Sequence, residues 1–207
     1  MIRWSRRISQ LYLGLALYGT SMALMLRAGL GLDPWDVLQQ GIALKVHHAI
    51  GTVSIVVGAL VLVFWLPLRQ RPGLGTVSNV VVVGLAMNEV LTVVPDQHGL
   101  PRQLPMLVGA ILLCGLATGM YISADLGPGP RDGLMTGLAA RTGWSIRLTR
   151  TLIEAGVLAS GWLLGGSVGI GTVAFALGIG PAAQFFLRVL AIPVVERQPV
   201  AELAAEL

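Results

Sequence analysis

An all-α membrane protein is the architecture to expect from these 207 residues. Its six transmembrane helices are expected as 3+3 inverted repeats, each with one short interfacial or re-entrant helix. Three observations point there. Hydrophobic residues make up 55% of the chain and charged residues 12%, with a mean hydropathy of +0.78, more apolar surface than a soluble domain of this size can bury in one core. Six apolar stretches approach the roughly 20 residues that a helix needs to cross a bilayer. The sequence also aligns with itself at an offset of 96 residues.

The six stretches run from about Ile8 to Ala28, Ala49 to Leu68, Gly75 to Val94, Pro105 to Ala124, Ile146 to Leu164 and Gly171 to Pro193. Helix is the expected state of each, because backbone groups in lipid must be satisfied within the segment. Met1 to Gly29 has the outline of a signal peptide, and Arg6-Arg7 that of a twin-arginine signal. We read the stretch instead as a retained first span with a basic cytoplasmic flank, since its repeat counterpart is internal.

Between spans one and two lies a shorter element, Pro34 to Val46, and between spans four and five its counterpart, Pro130 to Thr142. Thirteen residues of helix reach about 20 Å, too little to cross. Each starts with a proline, whose missing N–H is harmless at the first helical position, and carries Asp36 or Asp132 in the first turn, where a carboxylate complements the helix dipole. Val37, Leu38, Ile42 and Leu44 give the first element an apolar side. Lying in the interface and dipping into the protein are both compatible with that pattern.

At the offset of 96, residues 11–88 fall on 107–184 without a gap, and 22 of these 78 pairs are identical. Composition alone gives roughly seven, so the pattern is a duplication. Gly31, Pro34 and Asp36 fall on Gly127, Pro130 and Asp132, while Gly73-Leu74-Gly75-Thr76-Val77 falls on Gly169-Ile170-Gly171-Thr172-Val173. Repeat A covers about residues 8–95 and repeat B about 104–193 of a single membrane domain, with 194–207 a short cytoplasmic tail. A unit of three crossings must enter the membrane inverted when it recurs.

Charge supplies a separate check. With both termini inside, eleven basic residues, Arg131 among them, are expected on the cytoplasmic side and three (Arg27, Lys45 and Arg102) outside, as the positive-inside rule requires. Trp35, Gly51 and Ser54 become Arg131, Arg147 and Arg150 in the second copy, and Arg69 and Arg71 become Gly165 and Ser167. Equivalent loops have thus taken opposite charge biases. Basic residues that flank apolar runs also argue against nucleic-acid binding.

The candidate functional residues are the polar groups within or beside the spans. Asn88, Glu89, Glu154 and Gln184 are candidates for a solute path, because ionisable groups in lipid are costly unless they face a cavity or a partner. Asn88 and Gln184 are repeat partners and compete with a role as cross-helix packing bonds, and Glu154 competes with a pair to Arg150 one turn earlier. Asp36 and Asp132 join the path if the short helices re-enter, since their N-termini would then face the interior. Gly31, Asp33, Pro34, Gly127 and Pro130 read as motif and helix-start positions, Gly73, Gly75, Gly169 and Gly171 as close-packing turns, and Trp4 and Trp35 as interface anchors. No catalytic motif, metal-ligand spacing or cofactor signature is present, and the single Cys114 lies in an apolar run. An enzyme is therefore disfavoured, and no metal or cofactor is expected.

Gly29-Leu30-Gly31-Leu32-Asp33-Pro34-Trp35-Asp36-Val37-Leu38, followed by Ile50-Gly51-Thr52-Val53-Ser54 and Arg69-Gln70-Arg71-Pro72-Gly73-Leu74-Gly75-Thr76, resembles the YczE-like branch of the YczE/YyaS/YitT bacterial membrane proteins. The resemblance covers nearly the whole chain. It implies a multi-pass protein of the bacterial plasma membrane and supplies no catalytic or binding residues. The second copy departs from the motif at Gly129 and Arg131. The leading functional expectation is a small-solute transporter or permease embedded in the lipid bilayer. The alternative is a non-transporting membrane partner or assembly factor for another protein, and an oligomer is compatible with either.

Overall fold

The computed structural model describes residues 2–190, so the expected tail at 194–207 lies outside the described residues. Eight helices follow one another within them: α1 (Ile2–Ala28), α2 (Pro34–Val46), α3 (Ile50–Leu68), α4 (Leu74–Val93), α5 (Leu100–Ser123), α6 (Pro130–Thr142), α7 (Ile146–Leu163) and α8 (Ile170–Leu190). Five of them, α1, α3, α4, α5 and α8, are long and apolar enough to cross a membrane. The sixth expected span, α7, differs because its 18 residues include Arg147, Arg150 and Glu154.

Start and stop chemistry is local. Asp33 caps α2, its Oδ1 accepting the Asp36 N–H at 2.9 Å, and Pro34 follows at the first helical position. The capping carboxylate is thus Asp33, which frees Asp36 for another contact. Pro130 starts α6 in the same way. Ser145 caps α7 by accepting the Leu148 N–H at 3.2 Å. The start of α5 lies five residues earlier than expected because Pro101 sits in its first turn, where proline is tolerated.

α1 and α5 form the central pair, with α4 against α1 and α8 against α5. Both ends of α1 are tied to its neighbours. Arg7 reaches Asp125 at 3.0 Å and donates to the Ala124 carbonyl at 2.7 Å. At the far end Arg27 pairs with Asp96 at 2.8 Å and donates to the Leu91 carbonyl at 2.5 Å. Small residues allow the close approach, as membrane helices favour. A Cβ on Gly19 would collide with the Val83 carbonyl of α4, and one on its counterpart Gly115 would meet Ala182 of α8.

The short helices cross between halves. α2 packs on α7, and α6 packs on α3, where the Trp65 indole donates to the Pro130 carbonyl at 3.0 Å and its ring lies against Gly133. Both short helices are therefore set into the bundle, with alternate residues buried. Two equivalent junctions lock them in place. Gly75 N–H donates to the Leu126 carbonyl at 2.7 Å, and Gly171 N–H, 96 residues on, donates to the Leu30 carbonyl, also at 2.7 Å. Gly31 (φ +112°) and Gly127 (φ +120°) turn the chain at these junctions, where only glycine combines positive φ with so little room.

Candidate functional site

The first turns of α2 and α6 face each other at the centre of the bundle. Arg131 of α6 reaches Asp36 Oδ1 at 3.5 Å and Asp33 Oδ1 at 3.7 Å. Its guanidinium also lies over the Trp35 ring, 5.2 Å from the centroid. With its amide oriented to satisfy both ends, Gln39 accepts from Arg131 at 3.0 Å and donates to Asp36 at 3.1 Å and Ser54 at 3.2 Å. Asp36 is fully buried and Asp33 nearly so. No protein donor reaches Asp36 Oδ2, and no protein acceptor reaches Trp35 Nε1, among the described residues.

Beside this cluster, Tyr121 of α5 donates to Asp132 Oδ2 at 3.0 Å. No basic side chain pairs with Asp132 among the described residues. Tyr121 packs edge-to-face on Tyr18 of α1, with centroids 6.1 Å apart and an interplanar angle of 82°. Three carboxylates and one guanidinium thus converge within an aromatic frame supplied by α1, α2 and α5.

Two cavities meet at this frame and share Tyr18, Trp35, Tyr121, Arg131 and Asp132 as a common wall. The first, about 80 Å³, runs between α3, α4 and α6. The second, about 290 Å³, runs between α5, α7 and α8. They occupy opposite halves of the bundle. The second includes Ile122 of α5, Arg150 of α7 and Leu187 of α8, towards the end marked by Arg7 and Asp125. The first includes Ser54 and Gly58 of α3, beneath the α3–α4 contact on the Arg27 side.

The linings correspond. Ser54, Gly58, Asn79 and Val83 of the smaller cavity lie 96 residues before Arg150, Glu154, Phe175 and Ile179 of the larger. The difference in volume has a visible cause. α3 and α4 pack along their length, with Gly84 against the Gly51 backbone, Gly51 N–H donating to Asn88 Oδ1 at 2.9 Å and the Asn88 amide donating to Thr52 at 3.2 Å. α7 and α8 do not pack in this way. Gly180, the counterpart of Gly84, has open space around it, and Gln184, the counterpart of Asn88, lines the larger cavity.

Of the residues singled out from sequence, Asp33, Pro34, Trp35, Asp132, Glu154 and Gln184 line the larger cavity and Pro130 the smaller, while Asp36 stands immediately behind the shared wall. Glu154 is bound to Arg150 at 2.8 Å. Asn88 bridges α3 and α4, Glu89 is exposed on α4, and neither borders a cavity. Trp35 is only 6% exposed, so it is not an interface anchor. Arg131, counted with the cytoplasmic charges, projects into the interior instead. Tyr18, Tyr121 and the role of Asp33 escaped sequence reasoning. The available signal was the Trp35-to-Arg131 replacement inside an otherwise matching motif.

A family model described as a family of unknown function, DUF6198, matches residues 5–188. A Haemophilus influenzae protein is 40% identical over 186 residues, covering 90% of this chain and 85% of its own. The Bacillus subtilis membrane protein YczE is 30% identical over 188 residues, covering 90% and 86%. The Bacillus subtilis protein YyaS is 25% identical over 189 residues, covering 89% and 92%. No solved structure matches the chain.

Proposed function

We propose that this chain, which belongs to the DUF6198 family of YczE/YyaS-type membrane proteins, is a small-solute carrier of the bacterial plasma membrane. Its six spans, α7 included, form two inverted three-span units, with both termini cytoplasmic. One observation carries the reading: two cavities in opposite halves of the bundle share a wall of polar and aromatic side chains, and the one beside the packed helix pair is much the smaller, about 80 against about 290 Å³. Carriers built from inverted repeats place the solute near the midplane and expose it alternately by moving equivalent elements. Here the equivalent elements are the α3–α4 and α7–α8 pairs. The packed pair narrows the smaller cavity, and the separated pair leaves room for the larger one.

α7 fits this scheme despite its charges. Arg150 and Glu154 neutralise each other beside a cavity, the environment that intramembrane charges require. The reading involves no catalytic step. Binding energy at the shared wall does all the work, and only a difference in solute affinity between the two states would shift their populations.

Labelling from each side of the membrane tests the proposal. In a Cys114→Ala background, Gln184→Cys is expected to react with an impermeant maleimide added on the cytoplasmic face of inside-out vesicles. Ser54→Cys is expected to react, more slowly, only from the opposite face. Reaction of both positions from one face alone would eliminate the inverted arrangement and the carrier with it.

A further inference from the structure

The charge balance at the shared wall identifies the kind of solute it accepts. Asp33 and Asp36 share one guanidinium, Asp132 has only the Tyr121 hydroxyl, and Arg150 and Glu154 cancel each other. Burial and the neighbouring Asp33 push the Asp36 carboxyl well above its usual range, so Arg131 balances Asp33, and the unbalanced negative charge facing the cavity is that of Asp132. Such an excess is tolerated when a cation occupies the site. Arg131 is not free to receive an anion. It is held by two carboxylates, the Gln39 amide and the Trp35 face, and an anion reaching it would lie beside Asp132.

We infer that the larger cavity binds a small organic ammonium ion, seated against Asp132 between the rings of Tyr18, Tyr121 and Phe175. The aromatic walls favour an organic cation over a metal ion. Ring faces attract alkylammonium groups and bury their methyl groups, whereas a metal ion needs several oxygen or nitrogen ligands converging on one point. No three His, Cys, Asp or Glu side chains are placed to hold one metal ion among the described residues. At about 290 Å³ the cavity is also large for a bare ion and suited to a molecule of several heavy atoms. Tyr121 has a positioning role: its hydroxyl donates to one Asp132 oxygen and leaves the other for the ligand.

The assignment rests on the carrier reading for transport but not for binding, so binding is tested alone. The full chain, purified in detergent, is melted in tetramethylammonium chloride, methylammonium chloride, sodium chloride or sodium acetate at equal ionic strength. A ligand that binds only the folded state raises the melting temperature in a saturable manner. At least one ammonium salt is expected to raise it by about 2 °C or more over sodium chloride. Asp132→Asn should abolish the rise. Tyr121→Phe, which removes a single hydroxyl, should raise the half-saturating concentration about tenfold and keeps the test valid if the Asp132 variant does not fold. Stabilisation by acetate alone, equal effects of sodium and the ammonium salts, or no ammonium effect up to 100-fold changes in concentration would each overturn the cation assignment. Ammonium binding combined with one-sided labelling of Ser54→Cys and Gln184→Cys would leave the site standing and remove the carrier.

Discussion

Replacing Arg131 with methionine should produce the largest single-residue loss of stability at the centre of this bundle. The arginine holds two carboxylates that the fold has already removed from solvent, one fully buried and one 3% exposed. Methionine restores most of the packing against Trp35 but leaves both carboxyl groups facing each other without their cation. Removing one partner of a buried ion pair costs about 3–5 kcal/mol, because the remaining charge is left uncompensated. Arg131 and Asp33 border a cavity, and access to its mouth offsets part of the cost, which places the expectation near about 3 kcal/mol. The added variant Asp36→Asn should recover at least about 2 kcal/mol, since it removes the carboxylate with no other outlet. Chemical unfolding of the four proteins of this cycle, followed by tryptophan fluorescence in one micelle composition, measures both quantities. A loss below about 1 kcal/mol for Arg131→Met, or additive effects in the double variant, would refute a working ion pair at the junction of α2 and α6.

The remaining predictions concern packing and caps. Gly84→Ala should lower stability by about 1–3 kcal/mol, because a Cβ there meets the Gly51 carbonyl and the Ile55 side chain. Gly180→Ala, at the counterpart position with open space, should stay within about 0.5 kcal/mol. Equal effects of the two in thermal melts would show that the two helix pairs do not differ in packing. Trp65→Phe removes the bond to the Pro130 carbonyl and should cost about 1–3 kcal/mol, read from the same melts. Asp33→Ala strips the cap from α2 and one partner from Arg131, so its loss should exceed the 0.5–2 kcal/mol typical of a cap alone.

Much of this arrangement was legible in the sequence because membrane helices are specified by composition over long windows. Five of the six expected spans, both short helices and their starts at Pro34 and Pro130 follow from apolar length and proline position. The close-packing role of Gly73, Gly75, Gly169 and Gly171 also follows from the repeat, and the structure realises it as two matching junctions. The site was harder to read. Arg131 lies more than 90 residues from the α2 side chains it meets, and nothing in the local pattern of α2 reveals that it faces α6. Arg131 is the instructive case. A single arginine beside an apolar run has the same local signature whether it anchors a helix at the interface or neutralises buried carboxylates, and counting it with the flanking charges hid the second role. Asn88 and Glu89 show the converse. Polarity within a span put both on the candidate path, yet Asn88 takes the competing role of a cross-helix bond and Glu89 is exposed.

The geometry also bears on why the two copies diverge where they do. Positions 35 and 131 are counterparts in the repeat and lie in contact; in the inverted arrangement proposed above they are a pair beside the pseudo-twofold axis. In an unmodified duplicate such a position meets its own likeness: arginine would face arginine, and tryptophan would face tryptophan. Neither pair neutralises Asp36, and two arginines would repel in a setting with little water to screen them. Splitting the pair into Trp35 and Arg131 gives a stacked cation and a counter-charge for the first copy's acids. The parallel change of Asp33 to Gly129 removes one carboxylate from the second copy, so the single arginine has fewer charges to balance. Under the proposed inverted arrangement, divergence at the axis is what would give a symmetric scaffold an asymmetric ligand site. Reverting Arg131 to tryptophan in this chain should lose both the central ion pair and the response to ammonium salts; a retained response would move the site away from the axis.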